Sequence, residues 1–149
     1  MSGLQLRQAT VDDIAAITSL EQVCYADPWP VTAFQALPGN PQVYFTLAER
    51  GEDLLGYVVA WYVLDEGELA NLAIAPSMRR QGLGQILLDA MLADAAGRAV
   101  GEVYLEVRES NVAARQLYSA NRFVEVGRRK GYYRSPVEDA LILRRTLKP

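Results

Sequence analysis

The sequence predicts an α/β (α+β) fold: a mixed central sheet of about seven strands flanked by about four helices, in the order β-α-α-βββ-α-β-α-ββ. Three observations carry that expectation. Residues 43–48, 56–63 and 68–75 are rich in Val, Tyr, Trp and Leu and are separated only by short turn segments, Arg50-Gly51-Glu52-Asp53 and Asp65-Glu66-Gly67, as hairpin-connected strands are. Amphipathic helical patterns stand on either side of this block. Beyond residue 103, strand-like and helix-like segments alternate. The chain has 149 residues, 50% hydrophobic and 22% charged, with no repeat, low-complexity tract or linker, so one domain over residues 1–149 is expected. A domain of this size buries roughly two-thirds of its unfolded surface, enough for a core without covalent staples.

Leu4-Gln5-Leu6-Arg7 alternates apolar and polar side chains and reads as an edge or half-buried strand. Thr10, with Asp13 three residues later, marks a helix start: the hydroxyl can cap the first amides, and Asp12 and Asp13 sit at the positive end of the dipole. Ile14, Ile17, Leu20 and Cys24 then recur at helical spacing, so the helix runs to about residue 24. Asp27-Pro28-Trp29-Pro30 must break it, because proline restricts the residue before it and offers no amide. A stiff aromatic loop therefore precedes a short segment at 31–37, and Pro38-Gly39-Asn40-Pro41 is a second break before the three strands. After Pro76, residues 82–96 place Leu83, Ile86, Leu87, Ala90 and Met91 on one helical face, with Gly97 as the C-terminal cap. Residues 103–107 form the next strand, 111–120 the next helix, and 123–126 and 140–147 the closing strands.

Composition excludes several chemistries. No apolar run approaches the ~18 residues that span a bilayer, and Met1-Ser2-Gly3-Leu4-Gln5 lacks the basic and apolar regions of a signal peptide. A soluble cytoplasmic protein without a membrane partner is expected. Cys24 is the single cysteine and histidine is absent, which rules out an internal disulfide, His-metal sites, Ser-His-Asp triads and an imidazole base. No metal is expected, and acid–base chemistry falls to Asp, Glu, Tyr, Lys or water. Lys and Arg number 15 against 18 Asp and Glu, a net charge of −3, so no nucleic-acid partner is expected. Cys24, on the apolar stripe of the first helix, reads as core.

Arg79-Arg80-Gln81-Gly82-Leu83-Gly84 joins a strand to a helix, where the first amides lack internal partners and carry roughly half a positive charge. Two glycines remove Cβ atoms that would block a phosphate, and two arginines add charge. This is no dinucleotide fingerprint, because Leu87 stands at the third glycine position and the Walker lysine is absent. Alone, the segment suits either an anion site or a tight turn with solvated arginines. The stretch Leu105-Glu106-Val107-Arg108-Glu109-Ser110-Asn111, followed by Leu117-Tyr118, shifts the balance.

Together these motifs resemble the GCN5-related N-acetyltransferase superfamily, GNAT, whose acetyl-CoA loop reads Arg/Gln-x-x-Gly-x-Gly/Ala; Arg79, Gly82 and Gly84 match it. The strand, Ser-Asn, helix and Leu-Tyr order resembles the second half of that family. Leu-Glu-Val-Arg, Pro28-Trp29 and Gly131-Tyr132-Tyr133 are similar to its ribosomal-protein-alanine N-acetyltransferases, the RimI type, and the resemblance covers about residues 4–145. It implies a GNAT-like sheet, acetyl-CoA as donor, pyrophosphate on the amides of residues 82–84, and pantetheine between two diverging parallel strands at 71–74 and 104–107. The implied cofactor contacts are Leu72, Ala73, Ile74, Arg79, Arg80, Gln81, Gly82, Leu83, Gly84 and Asn111. A strand that lends its backbone to a ligand does not announce it in its side chains.

Acetyl transfer to an amine needs a neutral nitrogen, a polarised thioester carbonyl and a proton for the departing thiolate. The resemblance gives the last role to Tyr118, seven residues after Asn111 and so in line with it on a helix. A phenol with a reference pKa near 10 is protonated at neutral pH, although a packed ring with a wet hydroxyl explains the residue equally well without the family. Glu106 sits within an apolar strand, where a carboxylate is costly to bury unless it is paired, hydrogen-bonded or facing a cavity. In RimI-type enzymes the glutamate of Leu-Glu-Val-Arg is the base, acting directly or through water. Glu68 and Glu66 compete for the role; Glu68 shares strand parity with Ala70, Leu72 and Ile74.

Deprotonating an α-amine at pH 7 costs ~1 kcal/mol, and a lysine about 4–5 kcal/mol. A glutamate therefore suits a protein N-terminus, and the resemblance names alanine on a small-subunit ribosomal protein. Acetylation of a small amine or internal lysine, or a non-catalytic acyl-CoA sensor, are the alternatives. Trp29, Tyr132 and Tyr133 could wall a peptide, and Glu66, Glu68, Glu138 or Asp139 could attract a basic second residue; core packing and solvated turns account for the same residues. The chain departs from its relatives at Arg122, where glycine is usual and where Asn121 is expected to take over the left-handed helix end, and at Asp27 and Pro30 in the substrate loop.

Overall fold

The computed structural model describes residues 2–147, so Met1 and the last two positions of the expected domain lie outside the described residues. The elements follow the expected order: β1 (Leu4–Gln8), α1 (Ile14–Cys24), α2 (Val31–Gln35), β2 (Val43–Arg50), β3 (Asp53–Val63), β4 (Glu66–Ile74), α3 (Leu83–Gly97), β5 (Glu102–Arg108), α4 (Val112–Ala120), β6 (Val124–Arg134) and β7 (Val137–Thr146). Thr10 and Asp13 form the capping box that their spacing predicts: the Thr10 amide donates to Asp13 Oδ2 at 2.8 Å, and the Asp12 amide donates to the Thr10 hydroxyl at 3.3 Å. A 3-10 turn at Val11–Asp13 then leads into α1.

The strands form one sheet in the order β1-β2-β3-β4-β5-β7-β6, with β4 and β5 parallel and the other neighbours antiparallel. α3 makes the crossover that a parallel pair requires. α1 and α2 cover one face around Ile17, Phe34, Leu47 and Tyr57. α3 and α4 cover the other around Val58, Leu87, Met91, Leu105 and Tyr118.

The β4–β5 ladder runs from Glu66–Glu102 to Leu69–Leu105 and stops there. At that point β4 bulges: Leu69 opposes Ala60 and Asn71 opposes Val59, which leaves Ala70 as the extra residue. The bulge resets the alternation of side chains. Leu69, Leu72 and Ile74 pack towards α3, while Ala70 and Ala73 pack towards α1. The parity expected to group Glu68 and Ala70 with Leu72 and Ile74 is therefore corrected: Glu68 and Ala70 share one face, and Leu72 and Ile74 lie on the other.

Glu21 fixes this bulge to α1. Its residue is 1% exposed, yet its carboxyl group accepts from the Tyr57 hydroxyl at 2.5 Å, Asn71 Nδ2 at 2.9 Å and the Trp29 amide at 2.9 Å. One buried group thus joins the helix, two strands and the Pro28-Trp29 loop. Glu21→Gln would turn an amide donor towards the Trp29 N–H, and we expect it to lower unfolding stability by about 1–3 kcal/mol in urea melts. An unchanged midpoint would show that the loop is held by packing alone.

Three helix and strand ends differ from expectation. Gly97 closes α3 without a left-handed turn; Ala99 takes that conformation instead (φ 61°), and the Val100 amide reaches back to the Ala95 carbonyl at 3.0 Å. After α4, Arg122 itself is left-handed (φ 68°), while Asn121, expected to substitute for it, is occupied by side-chain bonds to Gln85 at 2.8 Å and the Leu117 carbonyl at 2.7 Å. The closing strands are longer than 123–126 and 140–147. Polar residues on both faces of β6 and a register break between Arg129 and Tyr133 hide the strand's period.

Candidate active site

The loop before α3 turns through two left-handed residues. Arg80 (φ 64°) and Gly82 (φ 84°) are both left-handed, and a Cβ at Gly82 would meet nothing within 4 Å. The Ile86 amide is bonded back to the Gly82 carbonyl at 3.1 Å, which leaves the amides of Leu83, Gly84 and Gln85 without helix partners. Arg80 is exposed, Arg79 Nε reaches the Ile74 carbonyl at 3.4 Å, and Gln81 Nε2 the Ser77 carbonyl at 3.2 Å. The Leu83 side chain is buried, so only its backbone is available. Unpaired amides, open space and two nearby guanidinium groups fit a pyrophosphate. Asn111 caps α4 through Oδ1, accepting from the Ala114 amide at 3.1 Å.

Beyond Leu69 and Leu105 the β4 edge has no strand partner. The Tyr25 hydroxyl donates to the Leu72 carbonyl, and the Cys24 thiol to the Ile74 carbonyl at 3.4 Å. The carbonyls of Leu72 and Ile74 therefore point off the β4–β3 ladder, and their amides point the same way. Ala73, one residue between, has its side chain buried under α1. This polar edge fits the amide-bearing arm of coenzyme A.

On the α1 side of the sheet, at the end of the β4–β5 ladder, an open pocket of about 310 Å³ is lined by Trp61, Glu66, Glu68, Tyr104, Glu106 and Arg129 among others. Glu106 Oε1 lies 3.3 Å from Arg129 Nε, whereas its Oε2 is buried with no hydrogen-bond partner among the described residues. Such an oxygen is costly unless a ligand or water meets it. Glu68 stands on the rim, where desolvation and then the charge of Glu106 raise its carboxyl above the usual range. The structure thus brings together all three glutamates weighed from the sequence.

Tyr118 is 7% exposed, its ring 5.6 Å from Phe123, and its hydroxyl makes no hydrogen bond among the described residues. Burial, followed by Tyr133, pushes its phenol well above the ordinary value. Tyr133 in turn is pushed up to about 12 by burial and then by Glu106. One tyrosine therefore stands within electrostatic reach of both the pocket carboxylate and the buried phenol. Trp29 stacks on Trp61 at 5.8 Å and leaves Trp61, which sequence reasoning did not single out, to line the pocket. Tyr132 is exposed beside Tyr133 at 5.1 Å.

Arg108 was missed as well. Its guanidinium meets Asp27 at 2.5 Å and Glu138 at 3.0 Å and stacks 4.3 Å from the Tyr133 ring, tying the loop before α2 to the β6–β7 hairpin. Its position two residues after Glu106 puts it on the same strand face, which was the available signal. Glu138 also accepts from the Ser110 amide at 2.5 Å, and Asp139 holds Arg128 at 3.0 Å and the Gly131 amide at 2.9 Å. Glu138 and Asp139, weighed as attracting a basic substrate residue, are both engaged in shaping the hairpin.

Residues 14–122 match the family model described as Acetyltransferase (GNAT) family. The ribosomal protein bS18-alanine N-acetyltransferase of Escherichia coli (strain K12) is 36% identical over 133 residues, covering 88% of this chain and 89% of the relative. The enzyme of the same name from Haemophilus influenzae is 33% identical over 131 residues, 88% of each chain. The crystal structure of the ribosomal-protein-S18-alanine N-acetyltransferase from Escherichia coli superposes with a TM-score of 0.90 at 30% identity, covering 98% of this chain and 95% of that one. With the family model matched over residues 14–122 and the fold shared with the Escherichia coli enzyme over nearly its whole length, the chain belongs to the GNAT family of acetyltransferases.

Proposed function

We propose that this chain is a single cytoplasmic domain that transfers the acetyl group of acetyl-CoA to the α-amine of a protein N-terminus, the N-terminal alanine of ribosomal protein bS18. The relatives' names supply the target, and the buried, unpartnered Oε2 of Glu106 is the observation that carries the chemistry. Acetyl-CoA contributes the thioester that acylates the amine. The amides of Leu83, Gly84 and Gln85, with Arg79 and Arg80, would hold its pyrophosphate, and the backbone edge at Leu72 and Ile74 its amide-bearing arm.

Glu106 takes the proton from the incoming ammonium, directly or through one water, and thereby frees the nitrogen lone pair. The cost is small for an α-amine, ~1 kcal/mol at pH 7, which a carboxylate can meet. As the C–S bond breaks, Tyr118 would give its proton to the departing thiolate and recover one from the nitrogen as it becomes an amide; its raised phenol keeps that proton across the working range of pH. Trp61, Glu66, Glu68, Tyr132 and Tyr133 surround the peptide's first residues, with Trp29 behind Trp61.

Two peptides test the reading. One carries a free N-terminal alanine and no lysine; the other is blocked at its N-terminus and has one internal lysine. Acetylation followed by mass is expected on the first alone. Modification of only the second overturns α-amine transfer, and acetyl-CoA binding without product on either peptide favours a sensor.

A further inference from the structure

Three carboxylates line the pocket, Glu66, Glu68 and Glu106, and the cation that lines it with them is Arg129. Its hold is slight. The single contact with Glu106, at 3.3 Å, is long for a charge-assisted bond, and the Arg129 side chain is 56% exposed. The neighbouring arginines are fastened by comparison: Arg128 bridges Glu109 at 2.9 Å and Asp139 at 3.0 Å, and Arg108 is fixed between Asp27 and Glu138. Arg129 is also the last paired residue before the β6 register break, and the Tyr132 ring, 5.6 Å from its guanidinium carbon, offers a second seat.

We propose that Arg129 stands in for the substrate's cation: its guanidinium occupies the place beside Glu106 and Glu68 that the incoming ammonium takes, so peptide binding is an exchange of one cation for another. The inference rests on the reading that Glu106 receives the amine. Arg129 contacts no reacting atom in this scheme. It is a positioning residue that offsets part of the charge of the pocket carboxylates until the substrate arrives, and it withdraws towards the Tyr132 ring when the ammonium displaces it. The displacement costs what an exposed ion pair is worth, so it weakens peptide binding modestly without touching the chemical step.

Initial rates with the alanine peptide varied at saturating acetyl-CoA test this for wild type, Arg129→Gln and Arg129→Lys. Without the competing cation, Arg129→Gln is expected to lower the peptide KM about two- to fivefold while changing kcat by less and leaving the acetyl-CoA KM unaltered. Arg129→Lys should return the KM towards wild type, and methylguanidinium should compete with peptide more strongly in Arg129→Gln than in wild type. An unchanged or higher peptide KM in Arg129→Gln would overturn the exchange. Should wild type acetylate only the lysine peptide, α-amine transfer fails, yet the same KM comparison with that peptide still decides the role of Arg129, because both substrates arrive as ammonium ions.

Discussion

Glu106→Gln is expected to lower kcat about 10²–10⁴-fold while leaving the acetyl-CoA KM close to wild type. The amide is nearly isosteric, so the pocket keeps its shape, but it cannot accept the proton of an ammonium. Glu68 is the rival. Its carboxyl is raised by desolvation and then by the charge of Glu106, which suits it to accept a proton. Parallel measurement of Glu68→Gln separates them: a loss of one order of magnitude or less there, beside the large loss in Glu106→Gln, assigns the base to Glu106. The reverse pattern would move the role to β4. Equal turnover in both variants and wild type would remove both from the chemical step and leave Glu66 as the pocket carboxylate to test. The buried acceptor favours Glu106, because Glu68 stands exposed on the rim of the pocket.

Much of this arrangement is legible in the sequence because it rests on local rules. Thr10 and Asp13 announce a capped helix start, and Asn111 a helix cap; each depends on a few adjacent side chains and the backbone. What escapes is what long-range pairing decides. Ala70 is an ordinary strand residue until Ala60 and Val59 pair on either side of it, and only that pairing reverses the faces of Leu72 and Ile74. Glu21 falls on the helical stripe of Ile14, Ile17 and Cys24, so its burial could have been read there, but its three donors come from β3, β4 and the Trp29 loop. Arg122 accepts a left-handed backbone at a cost of about 1 kcal/mol, since the bond from the Phe123 amide to the Tyr118 carbonyl at 3.0 Å needs that turn and Asn121 is committed to Gln85. Arg108 finds Asp27 81 positions away, a distance no spacing rule covers.

Tyr118→Phe is expected to reduce kcat about 10²-fold or more with little change in stability. The ring's packing against Phe123 is retained, and the hydroxyl has no partner among the described residues to leave unsatisfied, so the folded state loses almost nothing. A purely structural role would therefore predict nearly full activity. The sharper test varies the leaving group. A thiol of ordinary basicity, with a pKa around 8.5, needs a proton as it departs, whereas an aryl thiol of much lower pKa leaves as a stable anion. With an acetyl aryl thioester as donor, the ratio of wild-type to variant kcat/KM should shrink towards unity, while the deficit with acetyl-CoA stays large. The same deficit with both donors would mean that the hydroxyl acts on the carbonyl or the peptide instead of the thiolate. Because burial and Tyr133 raise the Tyr118 phenol, its proton remains in place on the alkaline side, so a fall in wild-type rate below pH 10 must come from another group. That combination, a buried proton kept at high pH and spent only on a basic leaving group, is what general acid catalysis by Tyr118 requires.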